Sequence, residues 1–563
     1  MNVAEAGGVM PARLDTDRLV FAALATLVLG LLLVFVAQPL LVVFGKSFDA
    51  GTGGPALANF SAAFGAPRFW IAVRNSLAVS VTVTVLSVVA GYLFAFTLAR
   101  FRVPFKGLLR TIIAMPIVAP SLVLGLGIIF LLGRNGVVNR VFGLDLSIYG
   151  FWGIVVADAL YCLPQVVLVL TATLAQMDAR PYEAATVLGA GGWKAFTSVT
   201  LPASRFGLIS AALLAFTITI TDFGTAMVVG GDYAVLATEI YKQVSGQMNF
   251  GLGAVIAIVL MVPAAIAFAV GRHLSGRQVA AVTDRAVRLA PVTPGRAGWV
   301  LYALVVLLAA AMLAVTATVL VGSFVKLWPY NFTPTLRHYA LDIPGGFDSL
   351  GNSAKVALAT SILGTTVALT AALLGEKWKH PVNRAIHALA LMPAAVPGMV
   401  LGLAYVFAFN NPANPFGFLY GTLAIIVACN ICHYHAQGYL TAVTALRQVS
   451  GTFDEASATL GASFLQTLRW VLWPILWPAA ASIAAFFFMR SMVTLSAVIF
   501  LVTPATTLAP VAVLQLEDAG NTSQAAALSV CIIAAVLAAL GLSRALLNRV
   551  ERHLRRAQKG SSG

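Results

Sequence analysis

Apolar runs of about twenty residues or more recur along this chain, separated by short polar segments. They lie near 19–44, 74–99, 108–132, 149–175, 206–228 and 251–271, then near 298–322, 353–375, 385–409, 420–445, 478–502 and 525–547. Each is long enough to cross about 30 Å of hydrocarbon as a helix. Backbone groups in lipid must be satisfied within the protein, so runs of this length are helices, and a barrel of short strands is excluded. The expected fold class is an all-α polytopic membrane protein with about twelve transmembrane helices.

Composition adds to that picture. Hydrophobic residues make up 60% of the chain and charged residues only 10%, against about 25% charged in a typical soluble protein. The net charge of +15 raises nucleic acid as a partner until its distribution is read. With both termini and the even-numbered loops in the cytoplasm, that side holds Arg13 and Arg18, then Arg100, Arg102, Lys106 and Arg110, then Arg180, Lys194 and Arg205. It also holds Arg272, Arg277, Arg285, Arg288 and Arg296, then Lys377, Lys379 and Arg384, then Arg447 and Arg469. Arg544, Arg549, Arg552, Arg555, Arg556 and Lys559 complete it, making 25 of the 35 basic residues. Basic loops stay on the cytoplasmic side, so the positive balance is a topology signal and no nucleic-acid partner is expected. The four cysteines, Cys162, Cys429, Cys432 and Cys531, all fall in apolar segments. The Cys429-x-x-Cys432 pair lacks a second ligand pair and reads as packing rather than as a metal or redox site.

The chain repeats itself. Asn75-Ser76 matches Asn352-Ser353, and Met115-Pro116 with Pro120 and Leu124-Gly125-Leu126 matches Met392-Pro393 with Pro397 and Leu401-Gly402-Leu403, both at an offset of 277. Glu183-Ala-Ala-Thr-Val-Leu-Gly189-Ala matches Glu455-Ala-Ser-Ala-Thr-Leu-Gly461-Ala at 272. The shift of five residues falls between the third and fourth spans. Six spans per half put the two motifs on the same side of the membrane, so the repeats are parallel and related by an axis along its normal.

The repeated polar loops, 180–202 and 452–474, carry helix signals of their own. Pro181 suits a first turn, Glu183 suits the positive end of a helix dipole, and Gly189 suits a stop. Thr452-Phe-Asp-Glu455 has capping-box spacing, and Gly461 ends that stretch. Each loop is expected to form a short helix, a glycine turn and a second helix running to Pro202 or Pro474. One such loop alone is equally an amphipathic connector on the bilayer surface; two in the same register point to a paired docking surface for a soluble partner.

These loops resemble the cytoplasmic Glu-Ala-Ala…Gly signature of binding-protein-dependent permeases of ATP-binding cassette importers, and the resemblance covers nearly the whole chain, twice. It is carried by Glu183, Ala184, Ala185, Gly189, Leu201 and Pro202, and by Glu455, Ala456, Gly461 and Pro474. Ser457 and Trp473 depart from the pattern, which implies unequal contacts. The resemblance implies a type I importer permease fold of two parallel six-helix repeats in a bacterial inner membrane, with both termini cytoplasmic. It further implies coupling helices that dock on two ATPase subunits, an extracytoplasmic solute-binding protein, and transport by alternating access. Domains are expected at 19–271 and 298–547, with an N-terminal tail 1–18, a basic linker 272–297 and a basic tail 548–563. The chain has no Gly-x-x-x-x-Gly-Lys-Ser/Thr phosphate loop. It is therefore expected to be a transport subunit rather than an enzyme and to bind no cofactor itself, with ATP and Mg used by the partner ATPase.

Charges inside spans are costly and point to function. Asp222 lies in the fifth span and Arg490 in the eleventh; at the 272 offset Asp222 aligns with Thr494 and Arg490 with Ile218. On facing walls these two would hold the ends of a zwitterion, or pair with each other as a gate. Asp158, in the fourth span, reads as a structural or vestibule residue. Tyr161 and His433 are equivalent positions and with Tyr434 and His435 form an aromatic and imidazole cluster facing one pathway; a metal site there is disfavoured because transport needs weak contacts. Segments such as Lys326-Leu-Trp-Pro-Tyr-Asn-Phe-Thr, Tyr149-Gly-Phe-Trp-Gly-Ile, Thr221-Asp-Phe-Gly and Tyr241-Lys-Gln-Val resemble fused permeases assigned to 2-aminoethylphosphonate uptake. Ferric iron, thiamine and polyamine permeases are the neighbouring group and supply the alternative cargoes. An ion-coupled secondary transporter would share the twelve spans without needing the repeated loops.

Overall fold

The computed structural model describes residues 10–49, 55, 57–145, 147–280, 287, 289–341, 346–378 and 380–560. Arg285, Arg288 and Lys379 of the charge pattern lie outside them. The first half contains α1 (Asp17–Ser47), α2 (Pro67–Arg100), α3 (Ser121–Leu132), α4 (Phe151–Ala175), α5 (Arg180–Val187), α6 (Leu201–Thr221) and α7 (Phe250–Ala280). The second contains α8 (Arg296–Phe324), α9 (Asp348–Lys377), α10 (Gly398–Phe409), α11 (Leu423–Arg447), α12 (Thr452–Thr459), α13 (Trp473–Val493) and α14 (Thr522–Gly560). The protein is an all-α polytopic membrane protein; the strands among the described residues are one small antiparallel hairpin, β1 (Val325–Leu327) with β2 (Asn331–Pro334).

Among the described residues, ten helices are long and apolar enough to cross a membrane, and Val382–Ala395 with Gly398–Phe409 makes an eleventh as a pair bent by 115°. The expected twelve differ from this count at the ninth and tenth runs, and the third run is counted from Ser121 onward. The third and ninth runs are broken at Met115-Pro116 and Met392-Pro393, where short 3₁₀ turns lead to Pro120 and Pro397 before α3 and α10 begin. A proline removes a main-chain donor and crowds the preceding turn, which favours a break where it stands. Helix α11 has the same 25 residues as its counterpart α4, but Asn430, His433, His435 and Gln437 lower its apolarity. The fifth and eleventh spans also begin earlier than expected, at Gly192 and Phe464, each passing through a π-helical turn, Phe196–Thr200 and Leu468–Leu472, before Pro202 and Pro474. They stop at Thr221 and Val493, short of the expected 228 and 502, because Asp222 and Thr494 are extended (ψ 134° and 127°).

Each half is built on a trio of packed helices: α2, α4 and α6 in the first, α9, α11 and α13 in the second. The first helix of each half leaves its own trio and packs on the other half. Thus α1 lies against α9, α10 and residues 382–391, while α8 lies against α2, α3 and residues 106–114. The approach of α8 to α3 is close enough to demand glycine: a Cβ on Gly127 would sit 2.4 Å from the Val315 carbonyl oxygen. Thr318 Oγ1 donates to the Gly127 carbonyl at 3.2 Å beside it. The five-residue offset is also visible, since 18 residues (133–150) separate α3 from α4 and 13 residues (410–422) separate α10 from α11.

Candidate functional site

Two sets of residues come together, one on the two repeated polar loops and one between the helical halves. In the first loop, α5 opens with Pro181 in its first turn and carries Glu183 there. Gly189 takes φ +71°, and the Gly189 and Ala190 amides donate to the Thr186 and Ala185 carbonyls at 3.0 and 2.9 Å. This is a Schellman stop, which needs a left-handed residue at its corner. In the second loop Gly461 has φ +66°, and the Gly461 and Ala462 amides donate to Ala458 and Ser457 at 3.0 Å each. A second short helix follows each turn, Gly192–Ala195 and Phe464–Thr467. Glu183, Ala184, Glu455 and Ala456 are exposed, and Ala185 is half-buried.

The apolar residues of this surface were not legible as a set in the sequence. Leu188 and its counterpart Leu460, immediately before the glycine corners, are each 84% exposed. Trp193 and its counterpart Leu465 are exposed on the helices that follow. The signal was present in the repeated Leu-Gly pair, but only the left-handed turn shows that the leucine is thrown outward. Paired exposed apolar residues beside exposed carboxylates form a surface suited to a protein partner.

Each loop is held by the segment that precedes a crossing helix. In the first, the Ala179 amide donates to the Val287 carbonyl at 2.8 Å, and the Val287 amide donates to Asp178 Oδ1 at 3.3 Å. The Arg102 amide donates to the Val292 carbonyl at 2.8 Å and the Val292 amide to the Arg100 carbonyl at 2.9 Å, so the linker lies as a strand-like strap against the end of α2. Arg100 in turn stacks over Tyr182 at 5.0 Å, and the Tyr182 hydroxyl donates to Thr200 Oγ1 at 2.8 Å. In the second loop, both carboxylate oxygens of Asp17 on α1 accept from the Phe464 amide at 3.1 Å. The Phe21 ring packs on Phe464 with centroids 4.3 Å apart, and Lys377 pairs with Asp454.

Between the halves, Asp222 ends α6 and its carboxylate accepts from the Thr225 amide at 2.8 Å, capping the short helix Gly224–Val229. Asp158 on α4 is 2% exposed and lies within electrostatic reach of Asp222, with which it lines a small cavity. The sequence reads Asp158 as a structural or vestibule residue; the structure puts it beside Asp222, because α4 and α6 pack against each other. On the opposite half, the Arg490 guanidinium stacks over the Tyr434 ring at 5.0 Å, within electrostatic reach of the Tyr434 and Tyr161 hydroxyls. The Tyr434 hydroxyl also meets Thr494 Oγ1 at 2.7 Å, and the His433 ring packs on Tyr434 with centroids 4.5 Å apart. Tyr161, His433, Arg490, Thr494 and Asp222 therefore form one neighbourhood. No ion pair among the described residues joins Asp222 to Arg490. The described residues also hold no group of three or more His, Cys, Asp or Glu placed for a metal. All four cysteines are free, and the Cys429 and Cys432 thiols meet the Ala497 and Phe35 carbonyls.

Comparison with known proteins gives the following. The family model described as "Binding-protein-dependent transport system inner membrane component" matches twice, at residues 87–279 and 364–556. The ferric transport system permease protein FbpB of Actinobacillus pleuropneumoniae is 28% identical over 541 residues, covering 93% of this chain and 77% of that protein. A putative ferric transport system permease protein of Haemophilus influenzae is 28% identical over 513 residues, covering 86% and 78%. The molybdenum transport system permease protein ModB of Azotobacter vinelandii is 37% identical over 164 residues, covering 29% of this chain and 73% of that protein.

Proposed function

The chain belongs to the family of binding-protein-dependent transport system inner membrane components, and we propose from that premise how it couples and what it carries. It is an importer permease of the ATP-binding cassette class, a multi-pass inner-membrane transport subunit and not an enzyme. The family implies a solute-binding protein and an ATPase as partners. Two ATPase subunits, one under each loop, bind ATP and Mg and close on one another. The α5 and α12 loops follow them, the halves rock, and the pathway between Asp222 and Arg490 opens alternately to the two sides of the membrane. The carrying observation is the pair of loops with the same Schellman corner and the same exposed leucine.

The cargo reading that similarity favours is ferric iron, since relatives spanning most of this chain are named ferric permeases. A second reading, a zwitterion such as 2-aminoethylphosphonate, is supported by Arg490, a guanidinium suited to a phosphonate, across the pathway from Asp222. Binding of ferric iron, 2-aminoethylphosphonate, thiamine and spermidine by the cognate solute-binding protein, measured side by side, decides between them. For coupling, replacing Glu183 and Glu455 together with alanine lowers ATP-driven uptake at least tenfold while the permease stays folded in the membrane. Unchanged uptake would sink the docking assignment.

A further inference from the structure

We infer that Asp158 and Asp222, with the hydroxyls of Ser121 and Thr225, form a cation-selecting site in the first half, which takes a positively charged centre of the cargo. This inference deepens the importer reading and rests on it for the word cargo.

Four observations converge. The two carboxyls line one small cavity together with Ser76 and Thr219, with room for about one small ion or the tip of an ammonium group. Neither carboxyl belongs to any ion pair among the described residues, and the nearby guanidinium of Arg490 is engaged with tyrosines instead. Two like charges in a low-dielectric site are costly unless a positive charge joins them. An oxygen is also left over: Asp158 Oδ1 is buried without a hydrogen-bond partner, and the Thr225 side chain lies beside both carboxyls. The Ser121 hydroxyl adds a further oxygen at Asp222. An all-oxygen set of this kind suits hard cations and ammonium groups.

The fourth observation is internal to the chain. The repeat supplies a second copy of the position, and there both carboxylates are gone, replaced by an amide and a hydroxyl. Asp158 corresponds to Asn430, Asp222 to Thr494, Thr225 to Ala497 and Ser121 to Gly398. The Asn430 amide donates to Ser491 Oγ at 2.7 Å and links α11 to α13. An amide therefore suffices to pack this place in the fold. The carboxyls of the first half answer to something other than packing.

The site predicts discrimination by charge: cargo with a cationic centre enters, and bare oxyanions such as molybdate and sulfate are repelled. The test uses the full chain in phosphatidylcholine nanodiscs, with terbium(III) as a hard-cation probe whose emission the nearby Tyr161 sensitises. Saturable emission is expected in the wild type, with binding weakened at least tenfold by Asp158→Asn and by Asp222→Asn at unchanged melting temperature. Displacement by ferric iron identifies a metal centre, and displacement by spermidine or 2-aminoethylphosphonate an ammonium centre. Terbium binding that survives both substitutions, or uptake of molybdate in preference to every cation tested, overturns the inference. The Glu183→Ala, Glu455→Ala double variant separates the two levels. It should retain terbium binding while losing ATP-driven uptake. Uptake that proceeds without ATP in the wild type would instead defeat the importer reading and leave the cation site standing.

Discussion

Arg490 shows that a charged side chain in a span need not lie against the acid that the sequence sets opposite it. As a charge within a span it had to be paired or functional, and Asp222 was the obvious acid. Its guanidinium instead lies on Tyr434 within electrostatic reach of Tyr161, so it acts on both halves without meeting the carboxylate. Arg490→Ala removes this link, and transport is expected to fall several-fold while the ATPase still copurifies with the permease. Arg490→Lys is expected to restore little, because an ammonium on a flexible stem lacks the planar fork that stacks on one ring within reach of two hydroxyls. Uptake assays with pull-down of the ATPase check both. Asp158 is the opposite case: its type was visible, its neighbour was not, since residues 64 positions apart meet only when α4 packs on α6.

The repeated loops are nearly all local structure, which explains their legibility. Pro181, Glu183 and Gly189 specify a start, a dipole partner and a stop within ten residues, and the second copy repeats them. What holds each loop to the membrane part is not local. Asp17 meets Phe464 across 447 residues, and Val292 meets Arg100 and Arg102 across about 190 residues, so no pattern within either segment announces them. The two clasps also differ in chemistry, a carboxylate cap on one loop and a main-chain strap on the other. Asp17→Ala removes an acceptor from a helix start, a loss of about 1 kcal/mol. Hydrogen exchange at residues 463–467 should quicken roughly fivefold while residues 178–183 keep their protection. Equal quickening in both loops would mean that the two clasps are not independent.

Over the full chain, the exchange of first helices joins the two repeats into one body. Because α1 packs on the second half and α8 on the first, movement of either loop is felt by a helix belonging to the other repeat. The joint between α3 and α8 is the tightest place to test this. Gly127→Leu puts a side chain where even a Cβ comes within 2.4 Å of the Val315 carbonyl, and overpacking of this kind costs about 1–3 kcal/mol. A lowered melting temperature in detergent is expected; an unchanged one would mean that α8 can swing away from α3 freely.

Hydrophobic length, the positive loops and the internal repeat were enough to establish an all-helical membrane protein in two parallel halves with paired loops. These properties are written in runs of adjacent residues or in copies of such runs, and each is a preference of the chain for lipid, for one side of a membrane or for a local turn. Packing alone decided the breaks at Met115-Pro116 and Met392-Pro393 as bends in place, the exchange of α1 and α8, the outward throw of Leu188 and Leu460, and the company of Asp158, Asp222, Tyr161 and Arg490. Those depend on which helix faces approach. In a chain that is apolar on nearly every face, no hydrophobic stripe tells one helix face from another; close packing at small residues and scarce polar contacts choose between them.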